Sequence, residues 1–110
     1  MRVLLDECLP RDLADCLAGH EVKTVAEVGW ASRKNGRLLQ LIADSQRFDV
    51  FITVDKSLPS QNRGKALPFA VVVLRTKSNR LEHILPLGPE ILRRISSFVP
   101  GRVYTLVGPG

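Results

Sequence analysis

A chain of 110 residues is long enough for one domain that buries about two-thirds of its unfolded surface. At 45% hydrophobic and 25% charged it has an ordinary globular make-up; no apolar run approaches the roughly 20 residues of a membrane span, and the opening lacks the layout of a secretory signal. The net charge of +5 is uneven, with 7 Lys and Arg against 9 Asp and Glu in residues 1–55 and 9 against 2 in residues 56–110, which suits an anionic partner such as nucleic acid as well as it suits a solvated basic face.

"RVLL" (2–5) reads as a short buried strand, closed by two adjacent carboxylates, Asp6 and Glu7. Pro10 at a first helical position, then "RDLADCLAG" with Gly19 past the end, reads as a helix. "HEVKTV" alternates like a strand and "VGWASRKNG" is a loop. Asn35 suits the N-cap of a helix over "GRLLQLIADSQ", where Leu38, Leu39, Ile42 and Ala43 form one apolar stripe. "DVFITV" (49–54) and "FAVVVL" (69–74) are nearly continuous apolar runs, the pattern of central parallel strands. "NRLEHIL" and "PEILRRISSF" read as one or two helices separated by Pro86 and Pro89, and "RVYTLV" (102–107) closes as a fifth strand.

With no repeat or linker, this alternation predicts a single domain over residues 1–110. Its fold class is α/β: a three-layer, doubly wound arrangement around a mostly parallel five-stranded sheet. Cys8 and Cys16 sit too near the same helix start to make a useful staple, and neither has a metal-ligand spacing to a second Cys or to a His. Reduced thiols in a cytoplasmic protein are the simplest expectation.

Asp6 ends the first strand and Asp55 the third. In the common doubly wound order 2-1-3-4-5 those strands are neighbours at the topological switch point, where ligands bind outside the carboxyl ends. Carboxylates gathered in one cleft repel one another unless a hard cation such as Mg2+ or Mn2+ lies between them. Strand alternation sends only one of Asp6 and Glu7 into the cleft, with Asp6 favoured and Glu7 supporting it or capping the next helix. Helix capping is also an adequate account of Asp6, Glu7 and Asp55, since negative charge is favourable at a helix N-terminus. Thr53 shares the side of Asp55, where it suits holding the aspartate rotamer or touching a phosphate. Gln61 and Asn62 follow in a polar loop at the rim.

"LLDECLP", "GWASRKNGRLLQLIA" and "FDVFITVDKSLPSQN", followed by "AVVVL" and "KSNRLEHILPL", resemble in order and spacing a bacterial PIN-like family. Its members commonly open Asp-Glu-Asn-Leu-Pro and carry a Thr-x-Asp at the end of the third strand. The resemblance runs to about residue 98 and implies a domain related to Mg2+- or Mn2+-dependent ribonucleases, often toxins encoded beside an antitoxin and often dimeric. Asp6 matches the first-strand aspartate and Asp55 the aspartate of Thr-x-Asp. Two departures stand out. Cys8 replaces a common Asn, and "KNG" occupies the start of the middle helix, where PIN nucleases usually carry a further acid. Asn35 offers a carbonyl oxygen there, but no charge, and no acid closely follows Asp55.

The expected chemistry is hydrolysis of an RNA phosphodiester. Asp6 and Asp55 hold the cation, Glu7 orients the attacking water, and Arg33, Lys34 and Arg37 on one side with Lys56, Arg63 and Lys65 on the other neutralise phosphates. Trp30 suits either base stacking or packing beneath its loop. His20 and His83 are expected away from the acids. Two rivals stand beside this reading. One is a catalytically degenerate PIN-like module that binds RNA or a protein partner. The other is a receiver-like phospho-acceptor domain, against which "LVGPG" lacks the lysine needed near the end of the fifth strand.

Overall fold

The computed structural model describes residues 1–33, 35–55, 67–78 and 80–108, Asn35 by its backbone alone. Five strands form one sheet: β1 (Arg2–Leu5), β2 (Glu21–Thr24), β3 (Val50–Thr53), β4 (Ala70–Arg75) and β5 (Val103–Val107). Every neighbouring pair is parallel and the order is β2-β1-β3-β4-β5. The order follows from the sequence pattern. The runs at β1, β3 and β4 are buried on both faces, so they must lie centrally, whereas β2 and β5 carry exposed positions and take the edges.

Alternation along the strands sorts the core into two layers. On one face Val3, Leu5, Val50, Ile52, Val72 and Leu74 meet the 310 segment Arg11–Cys16 and the C-terminal helices. On the other, Leu4, Phe51, Val71 and Val73 meet Leu38, Leu39 and Ile42 of helix α1 (Asn35–Ser45). The predicted stripe of α1 is therefore the buried one, with Ala43 packed at its margin. Leu13, Ile84 and Ile91 are fully enclosed; each such side chain contributes about 1.5–3 kcal/mol relative to an exposed one.

Two details differ from the sequence expectation. Within "RDLADCLAG" only Arg11–Cys16 is helical and it winds as a 310 segment, closed by Leu13 N–H to the Pro10 carbonyl at 3.1 Å and Leu17 N–H to the Ala14 carbonyl at 3.1 Å. So short a segment gains little from α-helix propagation, and packing of Leu13 and Leu17 sets its winding. Of the two prolines expected between helices, Pro86 does lie in a 310 turn between two α-helices, whereas Pro89 lies inside the second of them. Helix α2 (Leu81–Ile84), a 310 turn (Leu85–Leu87), helix α3 (Gly88–Arg94) and a 310 turn (Ile95–Ser97) follow without a break. Each proline lies in the first turn of its segment, where the missing N–H has no intrahelical partner to lose.

Gly88 has a packing requirement: a Cβ there would meet Cys16 Cβ at 2.7 Å and Sγ at 2.8 Å, so α3 lies backbone-close on the 310 segment. No helix among the described residues is long and apolar enough to cross a membrane.

Candidate functional site

The β1→β2 crossover packs on one face of the sheet and the β2→β3 crossover on the other, and the carboxyl ends of the neighbouring strands β1 and β3 are the place where this fold class binds ligands. Asp6 follows β1 there, its N–H bonded to the Ile52 carbonyl of β3 at 2.9 Å. Leu4 and Phe51 face α1, so alternation carries Asp6, Thr53 and Asp55 to the α1 side, while Val54 packs into the opposite cluster.

Thr53 ties the two strand ends together. Its hydroxyl donates to Asp6 Oδ2 at 2.6 Å and accepts the Asp55 N–H at 3.0 Å. Asp6 Oδ1 accepts the Glu7 N–H at 2.8 Å. Thr53 is fully buried and Asp6 is 8% exposed, the two buried polar side chains among the described residues. Burying a carboxylate is costly unless hydrogen bonds replace water, and these do so. The network also fixes the Asp6 rotamer.

Glu7 is exposed and turned to the loop that leads into α1, where both carboxylate oxygens face the Ser32 N–H at 3.2 and 3.3 Å. Ser32 has φ 68°, a left-handed conformation a non-glycine residue holds only with local support, and Glu7 provides it. Cys8 is half-buried beside Asp6. Burial first, and then the neighbouring carboxylate, push its thiol above the ordinary cysteine range, which favours the protonated form. Neither Cys8 nor Cys16 is in a disulfide.

Helix α1 runs antiparallel to the strands, so its N-terminus opens at the same carboxyl edge. Arg33 and Arg37, both exposed, therefore lie on the edge that carries Asp6. Asn35 begins the helix itself. Lys34, Lys56, Gln61, Asn62, Arg63 and Lys65 lie outside the described residues. Trp30 packs: its ring stands edge-on to Phe48 at 6.1 Å, at the margin of the α1 core, with the Arg47 guanidinium 6.0 Å from its centre. His20 contacts the N-terminal amine at 3.2 Å and His83 the Ser78 hydroxyl at 2.5 Å, so both have partners apart from the acids.

A cleft of about 250 Å3 adjoins the site, lined by Asp6, Glu7, Leu9, Arg11, Thr24, Ala26 and Glu27. Thr24 and Glu27 close its far wall with a reciprocal pair, Glu27 N–H to Thr24 Oγ1 at 3.1 Å and Thr24 N–H to Glu27 Oε1 at 3.2 Å. Sequence reasoning passed over these residues, although "TVAE" (24–27) carries the Thr-x-x-Glu capping signature. Arg11, the cation of this wall, left no motif. A second cleft of about 280 Å3 runs beside the 310 segment and shares Arg11 and Glu27.

Asp6, Asp55 and the Thr53 hydroxyl are all hard oxygen donors, the set that suits Mg2+ or Mn2+ rather than a softer metal. Each Asp6 oxygen accepts a hydrogen bond, and a carboxylate oxygen has lone-pair capacity for more than one partner. Among the described residues no group of three or more His, Cys, Asp or Glu is gathered to hold a metal ion. Comparison with family models, with characterised proteins and with solved structures returns no match.

Proposed function

We propose that the chain is a PIN-like domain acting on RNA, a Mg2+- or Mn2+-dependent ribonuclease whose cation is held by Asp6 and Asp55. The observation that carries this reading is the buried Thr53 hydroxyl that joins the Asp6 carboxylate to the Asp55 backbone N–H at the switch point of the sheet, a place where this fold class binds ligands. A divalent cation bound there would lower the pKa of a bound water and polarise a phosphoryl oxygen.

The chain's own residues do the rest. Thr53 holds Asp6 in one rotamer, so its outward lone pairs are preorganised rather than recruited. Glu7 sets the Ser32 turn and thereby the position of Arg33, which with Arg37 neutralises backbone phosphates along the carboxyl edge of the sheet. Glu7 is in this way a positioning residue as well as the candidate for orienting water. The same reading makes the protein cytoplasmic, with an antitoxin protein as a second partner.

One observation favours a second reading, a module that binds RNA or a protein without cutting: both Asp6 oxygens already serve internal hydrogen bonds. Incubation of the purified chain with RNA in Mn2+ or Mg2+ and in EDTA, beside the Asp6→Asn/Asp55→Asn double variant, separates the two. Metal-dependent cutting lost in the variant supports the nuclease. Salt-sensitive binding with no cutting in any metal sinks the nuclease and leaves the binding module.

A further inference from the structure

We propose that Arg75, the last residue of β4, binds the RNA phosphate that lies against Asp6 and Asp55, with the positive charge a second cation would otherwise supply. The proposal rests on the reading of those aspartates as a site that acts on RNA.

The register of the sheet places Arg75. Asp6 N–H bonds the Ile52 carbonyl at 2.9 Å, continuing the Leu5–Ile52 pair, and Thr53 pairs with Val73, so Asp6, Thr53 and Val73 lie abreast on β1, β3 and β4. Val71 and Val73 pack on the α1 side and Ala70, Val72 and Leu74 on the other. Alternation therefore returns Arg75 to the α1 side, one row nearer the carboxyl edge. Asp55 follows Thr53 by the same two residues. The Arg75 backbone is still part of the sheet: it pairs with Val107 of β5, and its carbonyl accepts the Gly108 N–H at 2.8 Å. The strand, rather than a loop, thus aims this side chain.

No described residue engages its guanidinium. Arg75 is exposed, and the ion pairs and ring contacts among the described residues use Arg2, Arg47, Arg80, Arg93 and Arg94 instead. Its neighbour on β5 is Val107, which is 71% exposed and offers no counter-charge. β1 and β4 are two strand spacings apart, roughly 10 Å, so an extended arginine reaches a phosphate seated against Asp6 without pairing to Asp6 itself.

Charge supplies the reason. Hydrolysis forms a bond from the oxygen of water to phosphorus and breaks the bond from phosphorus to the leaving sugar oxygen. That oxygen keeps the electron pair and takes up a proton, the proton of water passes to solvent, and negative charge builds on the non-bridging oxygens in between. Two-metal sites meet this charge with a second cation, which needs further acids. Here neither residues 56–66 nor the first turn of α1 contains an Asp or Glu. An arginine carries its charge permanently, and its planar fork donates two N–H bonds to one phosphate. Arg75 gives up no proton in the step.

The test uses the full chain, a short fluorescent single-stranded RNA, and the variants Arg75→Gln, Arg75→Lys and Arg102→Gln. The last removes the same charge at the amino edge of the sheet, where Arg102 precedes β5. RNA binding is titrated against salt in EDTA, cleavage is followed in Mn2+, and Mn2+ binding is read by electron paramagnetic resonance. Arg75→Gln is expected to weaken RNA binding about tenfold at low salt and to flatten the slope of log K against log salt by about 0.7. Arg75→Lys keeps the slope, and Arg102→Gln keeps both slope and affinity. In Mn2+, kcat is expected to fall roughly 100-fold or more in Arg75→Gln and about tenfold in Arg75→Lys, with Mn2+ affinity and melting temperature unchanged. Binding and cleavage that Arg75→Gln leaves at the wild-type level, an equal loss in Arg102→Gln, or Mn2+ binding lost together with activity overturns the proposal while the nuclease reading stands. A wild type that cuts in no metal, yet loses the Arg75 share of its salt slope in Arg75→Gln, supports the phosphate contact and sinks the nuclease. A wild type that neither binds nor cuts RNA overturns both.

Discussion

Thr53→Val isolates the hydroxyl that joins the two aspartates. The exchange keeps the β-branched shape and nearly the volume of a fully buried side chain, so a packing account expects little change. The hydrogen-bond account expects otherwise. Loss of a donor to the Asp6 carboxylate, 2.6 Å away, costs about 1.5–3 kcal/mol, and loss of the acceptor for the Asp55 N–H about 0.5–1.5 kcal/mol more. The added methyl returns about 0.8 kcal/mol, which leaves a net cost of about 1–4 kcal/mol. Thr53→Ser is the control, because it keeps both bonds and loses one buried methyl, at about 0.5–1.5 kcal/mol. Urea unfolding of the three proteins at neutral pH, with slopes checked for equality, is expected to rank wild type above Ser and Ser above Val. A valine variant as stable as the serine one, or more so, would refute the claim that this network holds the strand ends together.

Two further outcomes follow from the packing and the ion pairs. Gly88→Ala, which in an open helix stabilises by about 1 kcal/mol, is expected here to destabilise by about 1–3 kcal/mol in thermal or urea unfolding, because the new methyl meets Cys16 Cβ. Cys16→Ala is not expected to rescue it, since that Cβ remains. Asp49 is held below the ordinary aspartate range, first by hydrogen bonding with the Arg2 side chain, and it also accepts the Arg2 backbone N–H at 2.8 Å. A depressed carboxylate contributes stability that is present above its unfolded value near 4 and is lost as pH falls through the folded value. Stability against pH should therefore fall less steeply below pH 4 in Asp49→Asn than in wild type, and equal slopes would contradict the ion-pair assignment.

Much of the fold was legible because the strong signals are long and repetitive. The β-branched runs at β3 and β4 admit only buried central strands, and the apolar stripe of α1 has one face to bury. Placing Asp6, Thr53 and Asp55 on the α1 side needed only strand alternation and the sheet order. The Thr53–Asp6 bond was less accessible, since a β-branched threonine in a strand already has a conformational reason to be there. Glu7 escaped because its partner is a backbone N–H 25 residues away, in a loop with no periodicity. The 310 winding after Pro10 and the unbroken run through Pro86 and Pro89 are decided by tertiary packing and by proline position within a turn, which local propensity reads poorly. Trp30 illustrates the same limit: its resting place on Phe48 depends on a contact between the two ends of the α1 unit.

The central claim is that Asp6 and Asp55 act together as a cation site, and Mn2+ binding followed by electron paramagnetic resonance tests it without reference to activity. The account predicts saturable binding of a single Mn2+ per chain, competed by Mg2+ and weakened at least about tenfold by either Asp6→Asn or Asp55→Asn. Absence of saturable binding, or binding that survives both substitutions unchanged, would contradict it.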